Sequence, residues 1–104
     1  MALFACAKWI AAMERSRLQI YYSGRVQGVG FRYVAKMTAR GFDVTGTVRN
    51  LFDGRVELIA EGERAELEVY RQAILESGVG SCIRDEAVTW ARASGGMRGF
   101  EILA

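Results

Sequence analysis

Apolar or small residues occupy every second position in two stretches of the chain, a period typical of β-strands with one buried face. In the first stretch, residues 42–50, the apolar positions end at Val48, and Asn50 has the same parity. Asp53-Gly54 then follows as a tight-hairpin sequence. In the second stretch, the side chains expected to point inward are Val56, Leu58 and Ala60. Those expected to point outward are Arg55, Glu57 and Glu61.

Two other stretches repeat apolar residues every three or four positions, as amphipathic helices do. The first is expected to begin at Phe31 and to stop at Gly41, with a core face made of Phe31, Val34, Ala35 and Thr38. The second is predicted over residues 63–76, with an apolar stripe of Leu67, Tyr70, Ala73 and Ile74. Apolar, β-prone runs predict further strands at residues 18–24, 83–92 and 98–103.

The order of these elements is β-α-β-β-α-β with a short extra C-terminal strand. It predicts an α+β, ferredoxin-like sandwich in which two helices pack on one face of an antiparallel sheet. In this topology the first two strands run in the same direction with the third between them, so their C-terminal ends lie roughly 10 Å apart at one edge. We therefore expect the loop after the first strand to converge with Asn50, which should emerge on the helix-covered face.

Residues 1–16 are expected to be an accessory N-terminal extension, and residues 17–104 to be the domain itself. Apolar residues recur in the extension at roughly helical spacing, which leaves a helical or a disordered segment open. Lys8 interrupts its apolar run, which is too short to span a membrane, and no secretory pattern is present. We expect a cytoplasmic protein with no membrane partner.

Composition excludes several kinds of chemistry. The chain has no histidine, which rules out imidazole catalysis, a Ser-His-Asp triad and most transition-metal sites. Its two cysteines, Cys6 and Cys82, are too few for a disulfide framework or a zinc site. The net charge is +2, with the basic excess in the first half of the chain. These basic residues are dispersed and the aromatic motif of RNA-recognition sheets is missing, so nucleic-acid binding is not expected.

The stretch Gly24-Arg-Val-Gln-Gly-Val-Gly-Phe-Arg32 lies between the first predicted strand and the first predicted helix. Its glycines permit positive φ, so successive N–H groups can turn inward as an anion-binding nest, joined by the free amides of the helix. Arg32 in the first helical turn could complete such a phosphate site with its planar fork of donors. From the residues alone, an ordinary glycine-rich turn remains the alternative. The spacing fits neither a dinucleotide-binding fingerprint nor a Walker A loop.

This nine-residue stretch resembles the signature of the acylphosphatase family. Gly46-Thr-Val-Arg-Asn50, the following Asp53-Gly54-Arg-Val-Glu57 and the closing Gly99-Phe-Glu-Ile102 are also similar to that family. The resemblance spans about residues 17–104. One departure is Phe52, which stands where many relatives carry proline before the turn.

The resemblance implies an enzyme that hydrolyses acyl phosphates to a carboxylate and inorganic phosphate. Arg32 would bind the phosphoryl group together with the backbone amides of Val26, Gln27, Gly28, Val29, Gly30 and Phe31. Asn50 would orient the attacking water. No cofactor and no metal are expected, and the partners would be the small-molecule acyl phosphate and its phosphate product, bound by a monomer.

Several alternatives stay open. Asn50 could be a strand-end asparagine that caps local backbone. Arg25, Gln27 and Arg49 also lie near the site by sequence, but solvated side chains would explain them. The domain could be a non-catalytic ferredoxin-like module that binds an anion or a protein, or part of a larger carbamoyl-transfer system.

Overall fold

The computed structural model describes residues 15–104, so residues 1–14, nearly all of the predicted extension, lie outside the described range. The elements are β1 (Arg15–Gly24), α1 (Phe31–Ala39), β2 (Val44–Asn50), β3 (Val56–Glu63), α2 (Arg64–Leu75), a 3₁₀ turn (Gly80–Cys82), β4 (Ile83–Arg92) and β5 (Phe100–Leu103). Their order confirms the predicted ferredoxin-like arrangement with its additional C-terminal strand.

The strands form one sheet in the order β4-β1-β3-β2-β5. Strand β3 pairs antiparallel with both β1 and β2, and β4 pairs antiparallel with β1. The extra strand β5 instead runs parallel to β2, with Val48 opposite Ile102. The C-terminal ends of β1 and β2 therefore lie at the same end of the sheet, as the topology requires.

The core lies between the sheet and the two helices. Alternate residues of the three central strands are fully buried, including Leu18, Ile20, Val48 and Leu58. Phe31 and Ala35 on α1 and Leu67, Tyr70 and Ile74 on α2 close this core from the other side. The Tyr70 hydroxyl donates a 2.7 Å hydrogen bond to the carbonyl of Ala35 and so joins the two helices.

Three strands begin at residues other than the predicted ones, and one of them is β5, which starts at Phe100, two residues later than expected. Strand β1 begins at Arg15, two residues inside the predicted extension, because Arg15 and Ser16 continue the pairing with β3. Strand β2 begins at Val44, two residues later than expected. Phe42 instead lies before the strand, with its ring 5.8 Å from that of Tyr70.

The open face of the sheet holds two carboxylates that were expected to point outward. Glu57 and Glu61 do point away from the helices, but both are buried. Arg49 covers Glu57 with a 2.8 Å ion pair, and Arg17 covers Glu61 with one of 2.9 Å. Alternation predicted the face correctly but not the burial, because the covering arginines belong to neighbouring strands.

The β2–β3 hairpin has its turn one residue earlier than Asp53-Gly54 suggested. The N–H of Gly54 donates to the carbonyl of Leu51 at 3.2 Å, so Phe52 and Asp53 are the central residues. Gly54 follows with φ of +94°. A turn of this kind followed by a left-handed glycine is a common three-residue hairpin loop. The N–H of Arg55 donates to the carboxylate of Asp53, and this hydrogen bond lowers the pKa of Asp53.

Candidate active site

The candidate site lies where β1 and β2 end and α1 begins. The connection from β1 to α1, residues 25–30, is called the glycine loop here. It passes over the end of the sheet, and α1 then packs against β2 and β5. Element order alone therefore brings the glycine loop, the first turn of α1 and Asn50 to one end of the molecule.

Glycine is required at two positions of this loop by backbone conformation. Gly28 has φ of +77° and Gly30 has φ of +81°, a region that other residues rarely adopt. Open space lies where a Cβ would stand at either position, so contact with the surrounding residues is not the constraint. The left-handed conformation of these two glycines allows the peptide groups between them to change the direction in which their N–H groups point.

The loop and the first helical turn leave a series of backbone donors without a partner among the described residues. Arg25 donates its N–H to the carbonyl of Cys82, and Val34 donates to Gly30 as the first hydrogen bond of α1. Between them, the N–H groups of residues 26–33 make no hydrogen bond with any described residue. Free amides at the positive end of a helix are the usual protein site for an oxyanion. No acidic residue occupies the first turn to compete for them.

Arg32 lies among these free donors. Its Nη1 donates a 3.2 Å hydrogen bond to the carbonyl of Leu103 on β5, and no carboxylate of the described residues forms an ion pair with it. The guanidinium thus keeps most of its donors available, while the carbonyl of the edge strand orients it. Sequence reasoning missed this contact because nothing in the sequence pattern indicates that β5 lies beside α1.

Asn50 is the last residue of β2 and is partly exposed. Its backbone pairs with Val56, but its side chain makes no hydrogen bond within residues 15–104. The capping role considered for this asparagine is therefore not seen in the described part of the chain. Its amide group remains able both to donate and to accept a hydrogen bond.

One hollow of about 180 Å³ contains both predicted side chains. It is lined by Val26, Gly28, Gly30, Phe31, Arg32, Tyr33, Asn50 and Ile102. Of the residues predicted for the site, Gln27 and Val29 belong to the loop but do not line this hollow. Tyr33 and Ile102 do line it and were not predicted. The sequence pattern indicates only an exposed helix position for Tyr33 and an edge strand for Ile102.

Gln27 has a role that the sequence did not suggest. Its Nε2 donates to the carbonyl of Leu51 at 2.7 Å and to that of Arg55 at 2.9 Å. The side chain therefore ties the glycine loop to the base of the β2–β3 hairpin. The interpretation of Gln27 as a solvated side chain is therefore wrong. The same holds in part for Arg49, whose Nε pairs with the buried Glu57 on the open face.

A larger hollow of about 820 Å³ lies on the β4 side of the loop and contains neither Arg32 nor Asn50. Arg25 lines this second hollow together with Arg55 and Arg84. Size therefore does not mark the candidate site, whereas the convergence of free donors does.

Within residues 15–104, neither helix has the length and apolar character needed to cross a membrane. The same range contains no group of three His, Cys, Asp or Glu side chains placed to hold a metal ion.

Comparison with known proteins agrees with this geometry. A sequence model of the acylphosphatase family matches residues 18–102. An acylphosphatase from Roseiflexus sp. (strain RS-1) is 40% identical over 91 residues, which cover 88% of this chain and 98% of that protein. The crystal structure of acylphosphatase from Bacillus subtilis has a TM-score of 0.79 at 38% identity, covering 86% of this chain and 99% of that one.

A third similarity concerns the fold alone. Full-length HypF, in a phosphate- and nucleotide-bound crystal structure, matches with a TM-score of 0.76 at 24% identity. The match covers 88% of this chain but only 12% of HypF. The same fold therefore also occurs as a small part of a much longer protein.

Proposed function

Because the chain belongs to the acylphosphatase family, whose members are hydrolases of acyl phosphates, we propose that the glycine loop, Arg32 and Asn50 form its active site. The observation that carries this proposal is the single hollow that the loop glycines share with both side chains. The proposed catalytic domain is residues 17–104.

The phosphoryl group is bound by the backbone amides of the loop and by Arg32. The N–H groups near Gly28 and Gly30 and those of the first helical turn, which have no partner within residues 15–104, support this role. A guanidinium beside them can bind two phosphoryl oxygens at once. Since these donors are held in place before the substrate arrives, they stabilise the charge that spreads over the oxygens in the transition state.

Asn50 orients the attacking water. A new bond forms between the water oxygen and phosphorus, while the bond from phosphorus to the acyl oxygen breaks. The products are a carboxylate and inorganic phosphate, and the proton released from water goes to phosphate or solvent. The leaving carboxylate has a pKa of about 4, so it departs without a general acid. The fixed donors supply the positive potential, and the reaction therefore proceeds without a metal.

The first experiment compares the parent protein with Arg32→Ala in the hydrolysis of benzoyl phosphate with a chelator present. We expect metal-free turnover by the parent and a rate at least about 10²-fold lower in the variant, because a preorganised donor is lost. Inorganic phosphate should also inhibit the variant less strongly. Arg40→Ala is the matched control, since Arg40 is an exposed arginine at the other end of α1.

The loop amides and Arg32 that are proposed to hold the phosphoryl group are called the phosphate cradle. Normal turnover and normal phosphate inhibition in Arg32→Ala would mean that Arg32 does not belong to this cradle. Absence of turnover in a folded parent would favour a module that binds anions without catalysis. Loss of turnover on adding the chelator, restored by a divalent cation, would contradict metal independence.

A second variant separates binding from chemistry. Asn50→Ala should lower kcat while largely sparing phosphate affinity and thermal stability, because Asn50 is proposed to contact water rather than the phosphoryl group. Thr47→Ala on the opposite face of β2 should leave all three quantities unchanged. If the Asn50 variant keeps the parent kcat, Asn50 does not orient the nucleophile.

A further inference from the structure

We infer that Tyr33 and Ile102 form the contact surface for the acyl group and select acyl phosphates with a bulky apolar or aromatic acyl part. This inference rests on the proposed function, because it assigns the half of the substrate that the phosphate cradle does not hold. Of the large apolar side chains that line the hollow from α1 and β5, these two are exposed, whereas Phe31 is buried in the core.

Both residues are placed at the rim by the elements that carry them. Tyr33 lies in the first turn of α1, one residue after Arg32, and is 62% exposed. Ile102 lies on β5 opposite Val48, whose side chain faces the helices, and it is 39% exposed. The parallel pairing of β5 with β2 thus extends the helix-covered face by one strand, and this extension stays uncovered beside the cradle.

The geometry of the reaction indicates which side of the cradle the acyl group occupies. In an in-line displacement the attacking oxygen and the leaving oxygen lie on opposite sides of phosphorus. If Asn50 holds the water, the acyl group must leave on the side away from Asn50. Tyr33 and Ile102 are the exposed apolar side chains of the hollow that remain once the loop, Arg32 and Asn50 are assigned, and we therefore place the acyl group against them.

The competing surface lies on the Asn50 side. A hollow of about 500 Å³ shares Asn50 with the cradle, and its lining includes Leu51 and Phe52. Phe52 is fully exposed at the hairpin turn and would be an obvious contact for an aromatic acyl group. In-line attack assigns this hollow to the approach of water instead. The two surfaces can therefore be distinguished by substitution.

The chemistry of the Tyr33 and Ile102 rim favours apolar acyl groups. Among the residues lining the hollow, Arg32 is the only charged one in the described structure, and it is assigned to the phosphoryl group. An acyl group lying against an exposed tyrosine ring and an isoleucine removes apolar surface from water on both sides. A phenyl ring offers far more such surface than a methyl group. Benzoyl phosphate should therefore be preferred over acetyl phosphate.

The test is the ratio of kcat/KM for benzoyl phosphate to that for acetyl phosphate, measured for the parent, Tyr33→Ala and Ile102→Ala. We expect the ratio to fall about tenfold in Tyr33→Ala and several-fold in Ile102→Ala. Inhibition by inorganic phosphate should stay unchanged in both, because phosphate has no acyl part. Tyr33→Phe should retain the parent ratio.

Two controls carry the same kind of change elsewhere. Val69→Ala truncates an exposed apolar residue on α2, and Phe52→Ala truncates the aromatic side chain on the Asn50 side. Neither should change the ratio. An unchanged ratio in both rim variants, or a fall confined to Phe52→Ala, would overturn the inference while leaving acyl phosphate hydrolysis intact. Turnover of neither substrate by the folded parent would overturn the proposed function and the inference together.

Discussion

Glu61 holds the connection between β4 and β5 against the open face of the sheet. Its carboxylate accepts hydrogen bonds from Nε of Arg17, from the N–H groups of Ser94 and Gly95, and from the Ser94 hydroxyl, at 2.8–3.1 Å. Burial by itself would raise the pKa of Glu61, but these hydrogen bonds outweigh it and lower the pKa to about 2. Because the connection leads into β5, Glu61 helps to position the strand that carries Ile102.

Replacing this carboxylate tests its contribution and the pH at which it acts. The pKa of Glu61 is about 4.5 when unperturbed and about 2 in the folded protein, so its stabilisation is complete above pH 4.5 and disappears as the pH falls towards 2. Glu61→Gln should lower the free energy of unfolding by about 2–4 kcal/mol at pH 7, since it removes the charged acceptor that Arg17, Ser94 and Gly95 share. The deficit should shrink near pH 2.

Urea denaturation of both proteins at pH 7 and near pH 2 measures this effect. Glu76→Gln, at an exposed position with no described ion pair, serves as the control and should change stability little at either pH. A deficit that is the same at both pH values would mean that the charge of Glu61 is not what stabilises the connection.

The buried carboxylates show what alternation along a strand can and cannot predict. The period of two assigned Glu57 and Glu61 to the correct face of β3. Their burial depends on Arg49 and Arg17, which become neighbours only through strand pairing. Nothing in the sequence gives the register that brings Arg17 opposite Glu61 across 44 positions.

At the scale of elements, the glycine loop is held by a side chain as well as by its own backbone. Gln27 binds two carbonyl groups of the β2–β3 hairpin, those of Leu51 and Arg55. Asn50 directly precedes this hairpin. The loop that carries the proposed phosphate donors and the strand end that carries Asn50 are therefore fixed relative to each other.

Removing these two hydrogen bonds should disturb the site more than the fold. Gln27→Met has a side chain of similar length without donors, and we expect about tenfold weaker phosphate inhibition together with a lower kcat/KM, because small misplacements of binding groups are costly. The loss of stability should be about 1–2 kcal/mol. Inhibition kinetics and thermal unfolding measure the two effects.

Gln19→Met is the matched control for this substitution. Gln19 lies on the open face of β1, and its one side-chain hydrogen bond in the described part of the chain is donated to the Tyr21 hydroxyl at 2.9 Å. The Gln19→Met substitution should affect stability slightly and should leave the kinetic parameters unchanged. Equal kinetic parameters in Gln27→Met and the parent would show that the backbone alone positions the loop.

The elements themselves were largely predictable from periodicity and from glycine positions. Both helices and five strands occur where the pattern indicated them, with boundaries that differ by up to three residues. The hairpin turn was displaced because Asp-Gly suits two different loops, and the choice between them depends on the pairing of Leu51 with Arg55. Local sequence does not encode that pairing.

At the scale of the whole molecule, the convergence of Arg32 with Asn50 followed from element order. Two strands that run in the same direction on either side of a third must end at one edge, whatever their side chains. The contribution of β5 to the site could not be predicted from element order. Its parallel pairing with β2 brings Ile102 and Leu103 beside α1, and a four-residue strand after a glycine-rich connection has no pattern that predicts its direction.

The hydrogen bond from Arg32 to the carbonyl of Leu103 links the binding of phosphate to the local unfolding of β5. If β5 detaches, Arg32 loses the acceptor that orients it, so the detached state should bind phosphate poorly. A ligand that binds only the attached state lowers the population of the detached one by a factor of one plus the ratio of ligand concentration to dissociation constant. Amide hydrogens of β5 should therefore exchange with deuterium about 100-fold more slowly at a phosphate concentration of about 100 times its dissociation constant.

Strand β4 offers the internal comparison, because it is the opposite edge of the sheet and has no contact with Arg32 in the described structure. Its exchange rates should respond less to phosphate than those of β5. Faster exchange of β5 on adding phosphate would mean that Arg32 leaves Leu103 in order to bind the ligand. In either direction, the edge strand would report occupancy of a site whose reacting atoms it does not touch.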